Sequence, residues 1–150
     1  METMKRTVNC GELTRADSGR KVILNGWVHR KRDHGGISFI NLRDRYGITQ
    51  VVVDPEVFGG EVPAEMTQVT SGLRNEFCLA VEGVVRARPD SMINPDMPTG
   101  EIEVVLEKII VLSRSEILPF QIDDMLRLVP KNVLLYKDCE VRAYFLCANQ

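Results

Sequence analysis

The stretch ISFINLRDR, residues 37–45, alternates apolar and polar positions in a way that would set an aromatic ring beside polar groups. If it forms a strand, Ile40 and Leu42 share one face, and Phe39, Asn41 and Arg43 share the other. An outward ring among polar side chains can stack on an unpaired base, which contributes ~1–3 kcal/mol. The alternative for Phe39 is packing beneath a loop.

The same alternation picks out polar side chains on three further segments. Gln50 lies where its amide could hydrogen-bond a base edge, although a solvated glutamine fits equally well. Arg86 and Arg88 are two residues apart, so their guanidinium groups would reach one surface and pair with phosphates or stack on bases. An ordinary solvated strand edge is their alternative. Glu103 should face outward, either for solubility or to accept hydrogen bonds from a base.

A local basic patch is expected even though the formal net charge is only -2. The run Arg30–Arg32, interpreted as part of a loop, adds three cations to Arg86 and Arg88. Counter-ion release from phosphates would then supply much of the affinity for a nucleic acid.

Other chemistry finds little support in the sequence. A zinc site is not expected, because no Cys-x-x-Cys pair occurs among the four cysteines, Cys10, Cys78, Cys139 and Cys147. Phosphate-binding loops, dinucleotide fingerprints and nucleophile elbows are missing, so no catalytic residue is assigned. No apolar run is long enough to span a membrane, and no secretory leader is evident, which favours a cytoplasmic location.

The order of elements predicts an all-β domain. Three hairpin-linked strands are followed by a short helix, a fourth strand, a long loop at 90–100 and a fifth strand that could break near Lys108. Gly26 should mark a bend in the first strand. This order is that of a five-stranded OB-fold barrel with one short helix between strands three and four. The predicted bounds are strands at 21–30, 37–45, 48–54, 77–89 and 101–115, and a helix at 64–73.

Long motifs of the chain resemble the N-terminal anticodon-binding domain of bacterial-type aspartyl-tRNA synthetases. They are LNGWVHRKRDHGGISFINLRDRYGITQVVVDPE at 24–56, RNEFCLAVEGVVRARP at 74–89, NPDMPTGEIEVV at 94–105 and ILPFQIDD at 117–124. The resemblance spans about residues 4–124. The asparaginyl- and lysyl-tRNA synthetases share the barrel, but the sequence motifs RDHGG and PTGEIEV favour the aspartyl family.

The resemblance implies binding to the anticodon loop of tRNA for aspartate and, in some members, also of tRNA for asparagine. The residues that it implies as tRNA contacts are Arg30, Arg32, His34, Phe39, Gln50, Arg86, Arg88, Asn94 and Glu103. Two positions depart from the family pattern: Val52 is aromatic in some relatives, and the residue at His34 varies among them. Complete members are homodimers that use ATP and Mg²⁺, whereas no cofactor is expected for these residues. Whether this chain alone is monomeric stays open.

The tail at 119–150 differs from the domain at 1–118. Where the family continues into a catalytic domain, this chain reads MLRLVPKNVLLYKDCEVRAYFLCANQ. Aspartylation by these residues alone is therefore not expected, and truncation and a reading-frame slip are the alternative origins of the tail. It could form a strand, a helix, the start of a linker or a disordered segment. A free-standing module for single-stranded nucleic acid and a silent fragment acting through protein contacts are the other functional alternatives.

Overall fold

The computed structural model describes residues 4–117, in which five strands close into a single barrel. The prediction for the tail at 119–150 lies outside the described residues. A short helix stands between the third and fourth strands, as the sequence predicts. The elements are β1 (Lys21–His34), β2 (Ile37–Asp44), β3 (Gly47–Val53), α1 (Ala64–Ser71), β4 (Cys78–Ala87) and β5 (Ile102–Ser113).

The strand order around the barrel is β1-β2-β3-β5-β4, and β1 pairs with both β2 and β4. All neighbours are antiparallel except β3 and β5, whose parallel pairing of Val51 with Val104 and Val52 with Val105 closes the barrel. This arrangement confirms the predicted five-stranded OB fold. The predicted bounds hold within two residues, except that β1 continues to His34 instead of ending at Arg30.

The barrel interior is filled by every second side chain of the five strands. Strand residues that point inward are almost fully buried and apolar: Val22, Leu24, Val28, Ile40, Leu42, Val51, Leu79, Val81, Val85, Ile102, Val104 and Leu106. Leu73 and Phe77, which follow α1, pack against the same core. Burial of aliphatic side chains is the main source of stability in such a barrel, at roughly 25 cal/mol per Å² of apolar surface.

Irregularities in the strands supply the curvature that closes the sheet. Near the predicted break, Glu82 pairs with Lys108 but Gly83 pairs with Leu106, so β5 carries one extra residue there. At Gly83 a Cβ atom would lie within 3.0 Å of the Val105 carbonyl oxygen, so only glycine fits at this close approach.

Two tight turns connect the first three strands. Gly35 and Gly36 both have positive φ, at 59° and 79°, as a type I′ hairpin turn requires. The connection left between the predicted strands at 21–30 and 37–45 is therefore confined to these two glycines. None of the helices within residues 4–117 is long and apolar enough to cross a membrane.

Candidate nucleic-acid interface

Strand pairing aligns the candidate side chains in two rows on the outside of the barrel. Asn41 pairs with Gln50 across β2 and β3, and Glu103 pairs with Arg86 across β4 and β5. A hydrogen bond of 3.2 Å from Gln50 Nε2 to Glu103 Oε2 joins the two pairs into one polar row. The adjacent row is apolar and is formed by Phe39, Val52, Val105 and Val84.

A bulge in β1 turns two arginines toward these rows. Val28 pairs with Leu42 inside the barrel, but the next pairs are Arg30 with Asn41 and Arg32 with Phe39, so His29 is the extra residue. Without the bulge, Arg30 and Arg32 would share the inward face of Val28. Both arginines are exposed and both belong to β1, which continues beyond its predicted end at Arg30 and so includes Arg32.

Phe39 lies on the outer face and is partly exposed, whereas Ile40, the next residue in sequence, points inward and is buried. The Arg32 guanidinium carbon is 5.8 Å from the centre of the Phe39 ring, within cation–π range. The ring and the cation together offer an apolar platform with a positive edge. Such a platform can stack a base and attract the phosphate attached to it.

Glu103 is on the outer face by strand parity, but neighbouring side chains cover it. Its side chain is only 7 % exposed, and Gln50 is equally buried. One carboxylate oxygen accepts hydrogen bonds from Arg86 Nε at 2.9 Å and Nη2 at 2.6 Å, and the other accepts from Gln50. The simple solubilising role considered for Glu103 therefore does not fit its position.

Arg86 is held between two carboxylates. Besides Glu103, it donates from Nη1 to Asp54 Oδ2 at 3.0 Å. Burial acts to lower the pKa of Arg86, but hydrogen bonds to Glu103 and Asp54 and the attraction of their charges raise it on balance. The expectation that Arg86 adds an unpaired charge to a basic patch thus differs from the structure, because two anions neutralise its single cation.

Arg88 is the most buried of the candidate cations, with 6 % of the residue exposed. Its Nε donates to the Ile102 carbonyl at 2.9 Å, while its buried Nη2 has no hydrogen-bond partner among residues 4–117. Burial lowers the pKa of Arg88, the negative charge of Glu103 opposes this, and the positive charge of Arg32 reinforces it. A guanidinium keeps its proton in such surroundings, so Nη2 remains a buried donor close to Glu103.

The other implied contacts lie around this centre with less defined roles. His34 is the exposed last residue of β1, next to the glycine turn. Asn94 lies in the loop between β4 and β5, where its Oδ1 accepts the backbone N–H of Asp96 at 3.0 Å and so shapes the loop. Val52 is 1 % exposed and pairs with Phe39, so the position that is aromatic in some family members is filled here by a small side chain in the apolar row.

Asp54 was not found by sequence reasoning. It follows β3, its Oδ1 accepts the backbone N–H of Glu56 at 3.0 Å, and it starts the short 3-10 helix Pro55–Phe58. The signal available in the sequence is the Asp-Pro pair, which is typical of such a cap. Its ion pair with Arg86 spans β5, which lies between β3 and β4, and the sequence does not show this strand order.

Within residues 4–117, no group of three or more histidine, cysteine, aspartate or glutamate residues is placed to hold a metal ion. Cys10 and Cys78 are the free cysteines of this part of the chain. Burial raises the pKa of both thiols, which makes them poor ligands and nucleophiles at neutral pH.

Residues 22–112 match the family model described as OB-fold nucleic acid binding domain, tRNA_anti-codon. The match covers all five strands except single residues at the outer ends of β1 and β5. It therefore includes every side chain of the two rows.

Curated proteins and solved structures give the same picture. The chain is 60% identical over 124 residues to an aspartate–tRNA(Asp/Asn) ligase of Treponema denticola, covering 83% of this chain and 20% of that protein. A ligase of the same name from Moorella thermoacetica is 53% identical over 121 residues, covering 81% and 19%. The crystal structure of asparaginyl-tRNA synthetase from Pyrococcus horikoshii superposes with a TM-score of 0.68 at 28% identity, covering 93% of this chain and 30% of that one. The chain thus spans about a fifth of the length of these curated relatives.

Proposed function

Because the chain belongs to the family of OB-fold nucleic acid binding domains of the tRNA anticodon type, we propose that it binds the anticodon loop of tRNA for aspartate. The outer rows of the barrel form the binding surface. Phe39 and Arg32 stack one unpaired base and attract its phosphate. The buried polar row beside them reads the edge of a second base.

The observation that carries this proposal is that a buried donor without a partner lies beside buried acceptors. Arg88 Nη2 has no partner within residues 4–117, and the Glu103 carboxylate nearby is fixed by Arg86 and Gln50. A buried donor without a partner costs roughly 1–3 kcal/mol, and a ligand acceptor would remove that cost. Guanine presents such an acceptor at O6 and donors beside it, so its edge complements Arg88 and Glu103 together.

Gln50 contributes by the orientation of its amide. Since Nε2 donates to Glu103, the amide oxygen is directed away from the carboxylate and can accept a further hydrogen bond. The polar row therefore offers acceptors from Glu103 and Gln50, and Arg88 beside the row offers a donor. This pattern favours guanine, whose O6 acceptor lies beside two donor groups, the N1–H and the exocyclic amine, because uracil and cytosine each offer only one donor group on the same edge.

Fluorescence titration of a labelled anticodon stem-loop tests the proposal. We expect weak, salt-sensitive binding to the stem-loop of tRNA for aspartate and weaker binding to the same hairpin with a scrambled anticodon. Equal affinity for both hairpins would contradict anticodon recognition and would indicate a module for single-stranded nucleic acid. A hairpin with the anticodon of tRNA for asparagine tests whether both tRNAs bind, as the ligases named for both tRNAs suggest.

The proposal extends to the larger protein that the relatives represent. The whole relatives are named as ligases, and this chain would serve such an enzyme by holding the anticodon in the cytoplasm, where tRNA is charged. The ATP and Mg²⁺ that the resemblance implies would be bound by the remainder of the whole enzyme. Dimer formation likewise belongs to the whole enzyme.

A further inference from the structure

A second exposed aromatic–cation pair lies at the turn between β2 and β3. Tyr46 is 53% exposed, and the Arg45 guanidinium carbon is 5.3 Å from the centre of its ring. Arg45 is exposed as well, and no carboxylate within residues 4–117 forms an ion pair with it. The turn therefore presents an exposed cation without an ion-pair partner and an exposed ring that can pack on a sugar.

The backbone of this turn is held unusually firmly for an exposed loop. The buried Asp44 carboxylate accepts the backbone N–H groups of Tyr46 at 2.7 Å, Gly47 at 3.1 Å and Cys10 at 2.9 Å. Gly11 packs so closely that an added Cβ would lie within 3.0 Å of the Tyr46 carbonyl oxygen. A turn whose backbone is already fixed loses little backbone entropy when a partner binds.

The turn is well separated from the anticodon-binding surface. Six residues lead from Phe39 to Arg45 along β2, which corresponds to about 20 Å of extended strand. A base stacked on Phe39 would not itself contact the turn, so another part of the same RNA would have to meet it, and the base-paired stem adjoins the loop.

The surroundings of the turn are also basic. Lys5 and Arg6 are exposed on the segment that leads to Cys10, and neither forms an ion pair within the described part of the chain. The positive charge of Arg6 acts to lower the pKa of the Cys10 thiol, against the rise that burial and Asp44 cause, and Cys10 itself donates its backbone N–H to Asp44 at the turn. The nearby Glu12 is occupied by hydrogen bonds from the backbone and side chain of Asn9.

We propose that Arg45 and Tyr46 form a second RNA contact, which binds the sugar–phosphate backbone of the stem next to the anticodon loop. This inference rests on the proposed function. Double-stranded RNA is bound chiefly through phosphates and 2′-hydroxyl groups. Arg45 would pair with a phosphate. Tyr46 would pack on a ribose and donate a hydrogen bond from its hydroxyl group to that sugar, and the charge of Arg6 would add long-range attraction for the phosphates.

The experiment compares two RNA probes with the full chain and its variants. One probe is the labelled anticodon stem-loop, and the other is a linear oligonucleotide with the loop sequence alone. We expect Arg45→Ala and Tyr46→Ala each to weaken stem-loop binding severalfold and to leave binding to the linear probe unchanged. Loss of one phosphate contact should lower the slope of log K against log salt by about 0.7–0.9, and only for Arg45→Ala.

Two controls separate the outcomes. Arg74→Ala removes an exposed arginine with no ion pair within residues 4–117. It should change the affinity for neither probe and therefore controls for the loss of one positive charge. Phe39→Ala should weaken binding to both probes, so unchanged binding by Phe39→Ala would show that the anticodon proposal has failed.

The second contact is overturned if Arg45→Ala and Tyr46→Ala, with unchanged thermal unfolding, bind the stem-loop like the parent chain, or if they weaken binding to both probes equally. Self-association abolished by Tyr46→Ala without any change in RNA affinity would identify the turn as a protein contact instead.

Discussion

Arg86 and Glu103 face each other across β4 and β5, and two guanidinium nitrogens of Arg86 bind the same carboxylate oxygen of Glu103, at 2.9 and 2.6 Å. Asp54 takes a third nitrogen of the same guanidinium. The cation is thus compensated before any RNA arrives. It fixes the orientation of Glu103, whose side chain is nearly buried and whose second oxygen is the one directed to Gln50.

Arg86→Ala should weaken stem-loop binding about tenfold without changing its salt dependence. The loss arises because Glu103 would no longer be held in one rotamer, and charged hydrogen bonds of this kind contribute ~1.5–3 kcal/mol. Titrations at several salt concentrations measure both quantities. A slope of log K against log salt lower by about one would show instead that Arg86 contacts a phosphate directly. Arg86→Lys keeps the charge and should also bind weakly, because lysine cannot reproduce the paired hydrogen bonds.

Phe39→Ala should cost ~1–3 kcal/mol of binding free energy and should leave the salt dependence unchanged, because it removes stacking area but no charge. Fluorescence titration of the anticodon stem-loop measures the loss. Phe39→Tyr is the matched control, since it keeps the ring that Arg32 contacts. Parent-like affinity of the alanine variant, or an equal loss in the tyrosine variant, would contradict a stacking role.

Strand parity in the sequence was sufficient to place the outer face of β2. The alternation from Phe39 to Arg43 is regular, and Ile40 and Leu42 are fully buried as it predicts. It was not sufficient in β1, because the bulge at His29 reverses the parity of Arg30 and Arg32. β1 pairs with β4 in its first half and with β2 in its second, and a change of partner along one strand leaves no local pattern in the sequence.

Charge compensation was equally hidden from the sequence. Arg86 is 32 residues from Asp54 and 17 residues from Glu103, and the register of β3, β4 and β5 brings the three together. Counting cations along the chain therefore overestimated the basic patch. The motifs that resemble the aspartyl family could identify the surface, but only the strand register shows which charges on it are unpaired.

Gly26→Ala should destabilise the barrel by about 1–3 kcal/mol, the usual range for forcing extra volume into a packed structure. A Cβ at this position would lie within 3.0 Å of the Arg43 carbonyl oxygen and 3.1 Å from the Leu42 side chain. Urea unfolding measures the change. Gly72→Ala is the control, because its nearest neighbour would be 3.5 Å away and its φ of -84° suits alanine. Similar stability of the two variants would show that β1 and β2 can separate at this point.

Arg88 and Glu103 should each recognise a different group of one guanine, and base analogues can separate the two contacts. 6-Thioguanine replaces the O6 acceptor with a weakly accepting sulfur and keeps the N1–H and amine donors, whereas inosine lacks the exocyclic amine. If Arg88 Nη2 donates to O6, 6-thioguanine should weaken binding to the parent chain by ~1–3 kcal/mol and should cost Arg88→Met almost nothing further. Inosine should show the corresponding coupling with Glu103→Gln. The guanines of the loop are replaced one at a time, and the double-mutant cycles are measured by titration at constant salt. Strictly additive losses at every guanine would mean that Gln50, Glu103 and Arg88 do not recognise a guanine of the loop, even if the loop binds elsewhere on the barrel.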